Sequence, residues 1–229
     1  MRSLTAYDNL TQLITIRHSE ARKTERRVHG GPGTPLTDRG RTDTVDLAAH
    51  LRRRKLVTTD TQIFTGPRPQ SLETAEILGR ELNIEICALD ALRNISMGIF
   101  DGLTDDEARA RDPDAMKRLE LWRSGDLPVG DIEIPGAEDL AQFVTRIHEA
   151  LIEMTAATRT PIVIVTRSLG IALHNLVSCT FNWVFENYKR VRLDPGCVSV
   201  YRRDEGGRIT EVALNGTEYL KVSRDFADD

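Results

Sequence analysis

This sequence predicts an α/β fold, in which helices cover both faces of a mostly parallel central sheet. Three observations predict it. Short apolar runs of strand length recur along the chain, segments of helical periodicity fill the gaps between them, and the C-terminal part alternates as a hairpin does. With 229 residues, 40% of them hydrophobic, the chain can bury one substantial core without disulfide support, so a single domain over residues 1–229 is expected.

The first strand is LITI, residues 13–16, which stops at Arg17-His18. A helix is expected over residues 39–54, followed by the strand QIFT at 62–65, a helix at 71–82 and the strand IEIC at 84–87. Residues 105–123 read as the next helix. The polar stretch around it, 104–134, is the expected lid insertion. Leu140, Phe143, Val144, Ile147, Leu151 and Met154 then form one apolar stripe, opening after Pro135-Gly136 with acidic Glu138 and Asp139 in the first turn. The strand PIVIVT at 161–166 and a helix at 169–179 follow. CVSVYRR and ITEVALNG close the chain as an antiparallel hairpin across Gly206-Gly207. In such a sheet ligands bind beyond the carboxyl ends of the strands, where Arg17-His18 and Arg167-Ser168 fall.

Composition narrows the functional classes. A net charge of -4 with dispersed arginines argues against a nucleic-acid surface, and the basic run 51–55 reads as the solvated end of a helix. No apolar stretch approaches the roughly 20 residues that span a bilayer, and the polar start MRSLTAYDNL lacks a signal-peptide core, so a cytoplasmic protein with no membrane partner is expected. Cys87, Cys179 and Cys197 are scattered without a CxxC pair and read as core thiols in a reducing compartment. No two histidines are spaced as metal ligands on one helix face, and no metal is expected.

Taken in order, ITIRHSE, ERRVHGGPGTPLTDRG, FTGPRPQSLETAEIL, LRNISMGIFDGLT, PGAED, PIVIVTRSLGI and ALNGTEYL resemble the successive motifs of the histidine phosphatase superfamily. The phosphoglycerate mutase and cofactor-independent phosphatase branch is the nearest. The resemblance runs over roughly residues 13–220, and seven pieces in one order are far more specific than any piece alone. It implies a three-layer αβα, phosphoglycerate mutase-like fold. It also implies phosphate-ester chemistry through a phosphohistidine, with no cofactor.

The family's nucleophile, in an Arg-His-Gly motif, matches His18, with Arg17 before it and Ser19 at the glycine. The chemistry stands without the family: neutral imidazole is a good nucleophile, and a guanidinium binds two phosphate oxygens through parallel donors. Three departures follow. Gln70 occupies the place of the second phosphate-binding arginine, Arg167 that of the second histidine, and Asn94 that of the glutamate that protonates the leaving group. Arg68 lies two residues from Gln70, and Pro67 and Thr74 fix the spacing against a shift. Asp101 and Glu138 match family carboxylates and are candidate substitute acids, a turn or helix-cap role being the structural alternative. On the substrate side Thr24 stands at an asparagine position, His29 at a glutamine position before Gly30, and Ser168 follows Arg167. His29 is a third candidate acid or a substrate contact.

The expected function is therefore phosphatase-like, on a small phosphorylated metabolite, through His18, Arg17, Arg167 and Glu138, with activity weakened by the replacements at Gln70, Arg167 and Asn94. Two other readings stay open: a repurposed enzyme doing isomerase or lyase-type proton chemistry on an anionic substrate, and a noncatalytic binder of a phosphorylated or carboxylate ligand. A homodimer is compatible with all three.

Overall fold

The computed structural model describes residues 11–22, 28–156, 161–166, 191, 193–203 and 209–220. Six strands form one sheet: β1 (Gln12–Arg17), β2 (Gln62–Thr65), β3 (Ile86–Ala88), β4 (Ile162–Thr166), β5 (Val198–Arg203) and β6 (Ile209–Gly216). Their order is β3-β2-β4-β1-β5-β6. The first four are parallel, β5 runs antiparallel to β1, and β6 antiparallel to β5.

Helices α1 (Asp38–Arg53), α2 (Pro69–Leu82) and α5 (Leu140–Ala156) cover the sheet. Period-two alternation divides the strand side chains between its faces. Leu13, Ile162 and Ile164 pack with Phe143, Ile147 and Leu151 of α5, all of them at most 1% exposed. Ile14, Ile16, Val163 and Val165 pack on the other face with Leu47 of α1 and Leu78 of α2. Burial on both faces explains why β4 is an unbroken apolar run.

Several element boundaries depart from expectation for local reasons. The helix expected over 105–123 is two helices, α3 (Asp105–Arg111) and α4 (Pro113–Ser124). Pro113 has no N–H to donate and pushes the residue before it out of the helical region, so Asp112 adopts φ -152° and caps α4 by accepting from the Ala115 N–H. Helix α2 starts at Pro69 rather than at 71, since proline suits a first turn whose N–H groups lack intrahelical partners. The third strand is shifted to 86–88, because Asn83 closes α2 in the left-handed region at φ 58° and Ile84 still donates to Gly79. Cys87 is exposed on this edge strand rather than in the core, whereas Cys197 is buried.

Helices α3 and α4 build a small cluster of their own. Phe100, Ala108, Ala115, Met116 and Leu119 are its buried members, and Trp122 packs against it. The helix expected over 169–179 and the turn at Gly206-Gly207 lie outside the described residues.

Candidate active site

The carboxyl end of β1 delivers Arg17 and His18 into a crossing of four segments. Arg17 pairs with Thr166 of β4, while its N–H donates to the Cys197 carbonyl at 3.1 Å and its carbonyl accepts from Gly196 at 3.0 Å. Its guanidinium is turned onto the Leu193 carbonyl. Burial lowers the pKa of this group, with Cys197 and then Asp194 acting in the opposite sense. Asp194 is itself held by Asn215, which accepts from the Asp194 N–H at 2.7 Å and donates to its carboxylate at 3.0 Å. Burial pushes the Cys197 thiol up to about 11, so it stays protonated and inert.

His18 is 2% exposed. Its Nδ1 lies 2.7 Å from the Ser19 carbonyl oxygen. A carbonyl only accepts, so Nδ1 carries the proton, and in the neutral ring the lone pair sits on Nε2. That carbonyl is fixed by its own residue. The Ser19 N–H donates to Thr74 Oγ1 at 3.3 Å, and the Ser19 hydroxyl pairs at 2.7 Å with that of Thr44, whose own proton goes to the Gly40 carbonyl at 2.6 Å. Gly196 crosses behind with φ 77°, where an added Cβ would lie 2.5 Å from the Tyr219 hydroxyl, which donates to the Gly196 carbonyl.

Thr74 also links the site to Gln70, whose carbonyl accepts the Thr74 hydroxyl at 2.8 Å, one helical turn earlier. Gln70 is 1% exposed, and its Oε1 accepts from the Thr34 N–H at 3.2 Å. A backbone N–H requires an acceptor there, so the oxygen end is fixed and the NH2 end is the donor left for other groups. Gly33, at φ 90°, makes this possible: a Cβ would lie 2.4 Å from Oε1. Arg68, half-buried, donates to the Gly31 carbonyl. Both residues at the start of α2 thus grip the glycine-rich loop.

That loop runs beside residues 101–103. His29 donates its N–H to Leu103 at 2.8 Å and accepts from Gly102 at 2.9 Å, and Gly31 donates to Asp101 Oδ1 at 2.9 Å. The His29 ring is buried, 5.8 Å from that of Phe100, with Nε2 2.9 Å from Asp105 Oδ1. Asp105 also receives Arg123 at 3.0 Å. Burial opposes its ionisation, but the Arg123 and His29 contacts outweigh it and hold its carboxyl below the usual range.

The two expected substitute acids are both hydrogen-bond hubs. Glu138 receives Arg146 on both oxygens, at 2.8 and 2.9 Å, and Arg93 at 3.4 Å. Arg146 reaches on to the Ala91 and Arg93 carbonyls, which fixes the segment carrying half-buried Asn94. Asp101 accepts from three donors, including the Ser96 hydroxyl at 2.9 Å.

The fold therefore brings His18, Arg17 and Gln70 together through Ser19 and Thr74, and joins His29 and Gly30 to Gln70 through one loop. Glu138 stands with Arg93, next to Asn94. Thr24, Arg167 and Ser168 lie outside the described residues. Sequence reasoning used Thr74 only as a spacing marker and passed over Thr44, Arg146 and Asn215. Thr74 had a signal in the ETAEIL motif and Asn215 in ALNGTEYL; Thr44 had none, being the polar residue of an ordinary helical turn.

Among the described residues no helix is long and apolar enough to cross a membrane. The family model described as "Histidine phosphatase superfamily (branch 1)" matches residues 13–215. The chain is 29% identical over 195 residues to "Probable phosphoglycerate mutase GpmB" of Salmonella choleraesuis (strain SC-B67), covering 80% of this chain and 81% of the relative. In fold it is similar to the mycobacterial glucosyl-3-phosphoglycerate phosphatase Rv2419c, with a TM-score of 0.74 at 21% identity over 90% of this chain and 99% of the other. It is likewise similar to phosphoglycerate mutase from Bacillus anthracis str. Sterne, with a TM-score of 0.74 at 18% identity over 96% and 99% of the two chains. The ordered motifs, the sheet order and a family match spanning most of the sequence agree that this chain belongs to branch 1 of the histidine phosphatase superfamily.

Proposed function

We propose that this protein is a phosphoric monoester hydrolase or phosphoryl-transfer enzyme for a small phosphorylated metabolite, with Nε2 of His18 as nucleophile. The observation that carries the reading is the Nδ1 contact to the Ser19 carbonyl, which presets the tautomer a nucleophilic imidazole needs. Nε2 attacks phosphorus, the ester oxygen departs with its electron pair, and water then hydrolyses the phosphohistidine. Arg17, the Gln70 amide and, directly after β4 in the chain, Arg167 are the donors to the phosphoryl oxygens. Thr24, His29, Gly30 and Ser168 belong to the substrate side. The protein works as a single cytoplasmic domain, its 104–134 segment serves as a lid, and no cofactor enters the reaction.

The weak step is departure of the alkoxide. An amide at Asn94 has no proton to give up as an acid, and Glu138 and Asp101 use their oxygens as acceptors. General acid catalysis usually contributes about 10²–10⁴-fold, so esters whose leaving groups need no proton are favoured. The relatives' names, phosphoglycerate mutase and glucosyl-3-phosphoglycerate phosphatase, support a small phosphorylated metabolite as substrate.

The test is turnover of an activated aryl phosphate against a sugar phosphate, with a denaturing alkaline quench to trap phosphoprotein. The expected result is faster aryl phosphate hydrolysis and an acid-labile phosphorylated species absent from His18→Ala. Equal or faster turnover of the sugar phosphate would overturn the missing-acid argument. Turnover unchanged in His18→Ala would remove the nucleophile.

A further inference from the structure

Asp101 stands where three segments meet. Its Oδ1 accepts from the Gly31 N–H of the glycine-rich loop at 2.9 Å and from the Met97 N–H at 3.1 Å, and its Oδ2 accepts from the Ser96 hydroxyl at 2.9 Å. Ser96 in turn accepts the Glu138 N–H on its carbonyl at 3.1 Å and the Gly98 N–H on its hydroxyl at 3.2 Å. Backbone pairing brackets the same spot, from Gly102 to His29 and from His29 to Leu103. Gly30 has φ 27°, and a Cβ there would lie 1.5 Å from Asp101 Oδ1, so the glycine is the space the carboxylate occupies.

Each segment meeting here carries a candidate site residue: His29 and Gly30 on the first, Asn94 on the second, and Glu138 on the third, which joins through the Ser96 carbonyl. We infer that Asp101 is a positioning residue: its carboxylate ties the glycine-rich loop to the turn at Ser96 and Met97, on whose backbone the Glu138 segment rests, and so sets the leaving-group side of the pocket. The phosphoryl side, built on Ser19, Thr44 and Thr74, has no bond to it among the described residues. The role is geometric. An asparagine would keep Oδ1 as acceptor for both backbone N–H groups and would present Nδ2 to Ser96 Oγ, which can accept. An alanine would strip all three donors of their acceptor. This inference rests on the phosphate-ester reading only for the meaning of the pocket's two sides.

The experiment compares wild type, Asp101→Asn, Asp101→Ala, Gly30→Ala and the double Gly30→Ala/Asp101→Ala by three measurements. These are hydrogen exchange at the Gly31 and Met97 amides, the Kd of inorganic phosphate, and kcat and KM for an aryl phosphate. In Asp101→Ala both amides should exchange about tenfold faster or more, and KM should rise about tenfold, the loss of roughly one hydrogen bond's worth of order. Phosphate Kd should change less than KM, because the Ser19, Thr44 and Thr74 bonds do not pass through Asp101 and only Gln70 shares the glycine-rich loop with it. Asp101→Asn should stay within about threefold of wild type throughout. Gly30→Ala should mimic Asp101→Ala, and the double variant should be less impaired than the product of the two singles, because the clash partner is gone.

Asp101→Asn as impaired as Asp101→Ala would overturn the inference in favour of a charge or proton role, and so would unchanged amide exchange in Asp101→Ala. If Asp101→Ala does not fold, Gly30→Ala and Ser96→Ala carry the same exchange test. Should wild type turn over no ester, the phosphatase reading fails, while the exchange and phosphate measurements still decide the clamp.

Discussion

One backbone carbonyl sets the chemistry available to His18. The Ser19 oxygen fixes the proton on Nδ1, and Ser19 is held by Thr44 and Thr74, residues 25 and 55 positions away in the chain. The motif ITIRHSE made the histidine legible as a candidate, yet its tautomer was not, because nothing local in the sequence aims that carbonyl. At the same scale, Asp105 gives a pH prediction. Its carboxyl titrates below the ordinary value in the folded protein, burial notwithstanding, because Arg123 and His29 hold it. As pH falls the unfolded chain binds this proton first, at about 3.9, so the stability that the contact contributes is present above that value and is lost as pH falls through the lower folded one. Thermal melts of wild type and Asp105→Asn between about pH 5 and 3 should therefore diverge, with the variant losing less stability on acidification. Parallel curves would mean that the His29–Asp105–Arg123 contact does not persist in solution.

Among elements, α1 shows how tightly a helix start can be tied to the site. Thr37 donates its N–H to the Glu20 carbonyl at 3.0 Å and caps the helix by accepting from Gly40 at 3.0 Å. Gly40 then faces Glu20 so closely that a Cβ would lie 2.1 Å from the Glu20 carbonyl oxygen. Backbone cannot rotate aside as a side-chain tip can. Gly40→Ala should cost about 1–3 kcal/mol in urea unfolding, with α1 or the chain after His18 displaced. A loss under half of the lower figure would show that the approach is looser. The apolar stripe of α5 and the strand QIFT were plain from periodicity. The break at Asp112 was carried by Pro113, a local rule outvoted by the polar helical pattern on either side.

At the scale of the whole molecule two kinds of core coexist. The sheet faces hold most of the large buried side chains, while Phe100, Ala108, Ala115, Met116 and Leu119 form a cluster under α3 and α4. A segment with its own small core can open before the sheet does. Met116→Ala, in a fully buried position, should expose cleavage sites within 104–134 to limited proteolysis while the sheet's unfolding midpoint moves little. Leu151→Ala, buried against the sheet, should lower the global midpoint by about 2–5 kcal/mol equivalent without early cleavage there. Identical behaviour of the two variants would show one cooperative unit.

By itself the sequence determined the class of fold, the order of strands and helices, the family, and the identity of His18, Arg17, Gln70 and Asn94 as the residues to question. These are properties of periodicity and of motifs read along the chain. Only the tertiary structure decided that Glu138 and Asp101 anchor loops through their oxygens, that Gln70 turns its oxygen to Thr34, and that His29 meets Asp105. Those outcomes depend on which hydrogen-bond donor arrives from a distant segment, and a buried acceptor takes whichever one the packing of the sheet and helices delivers.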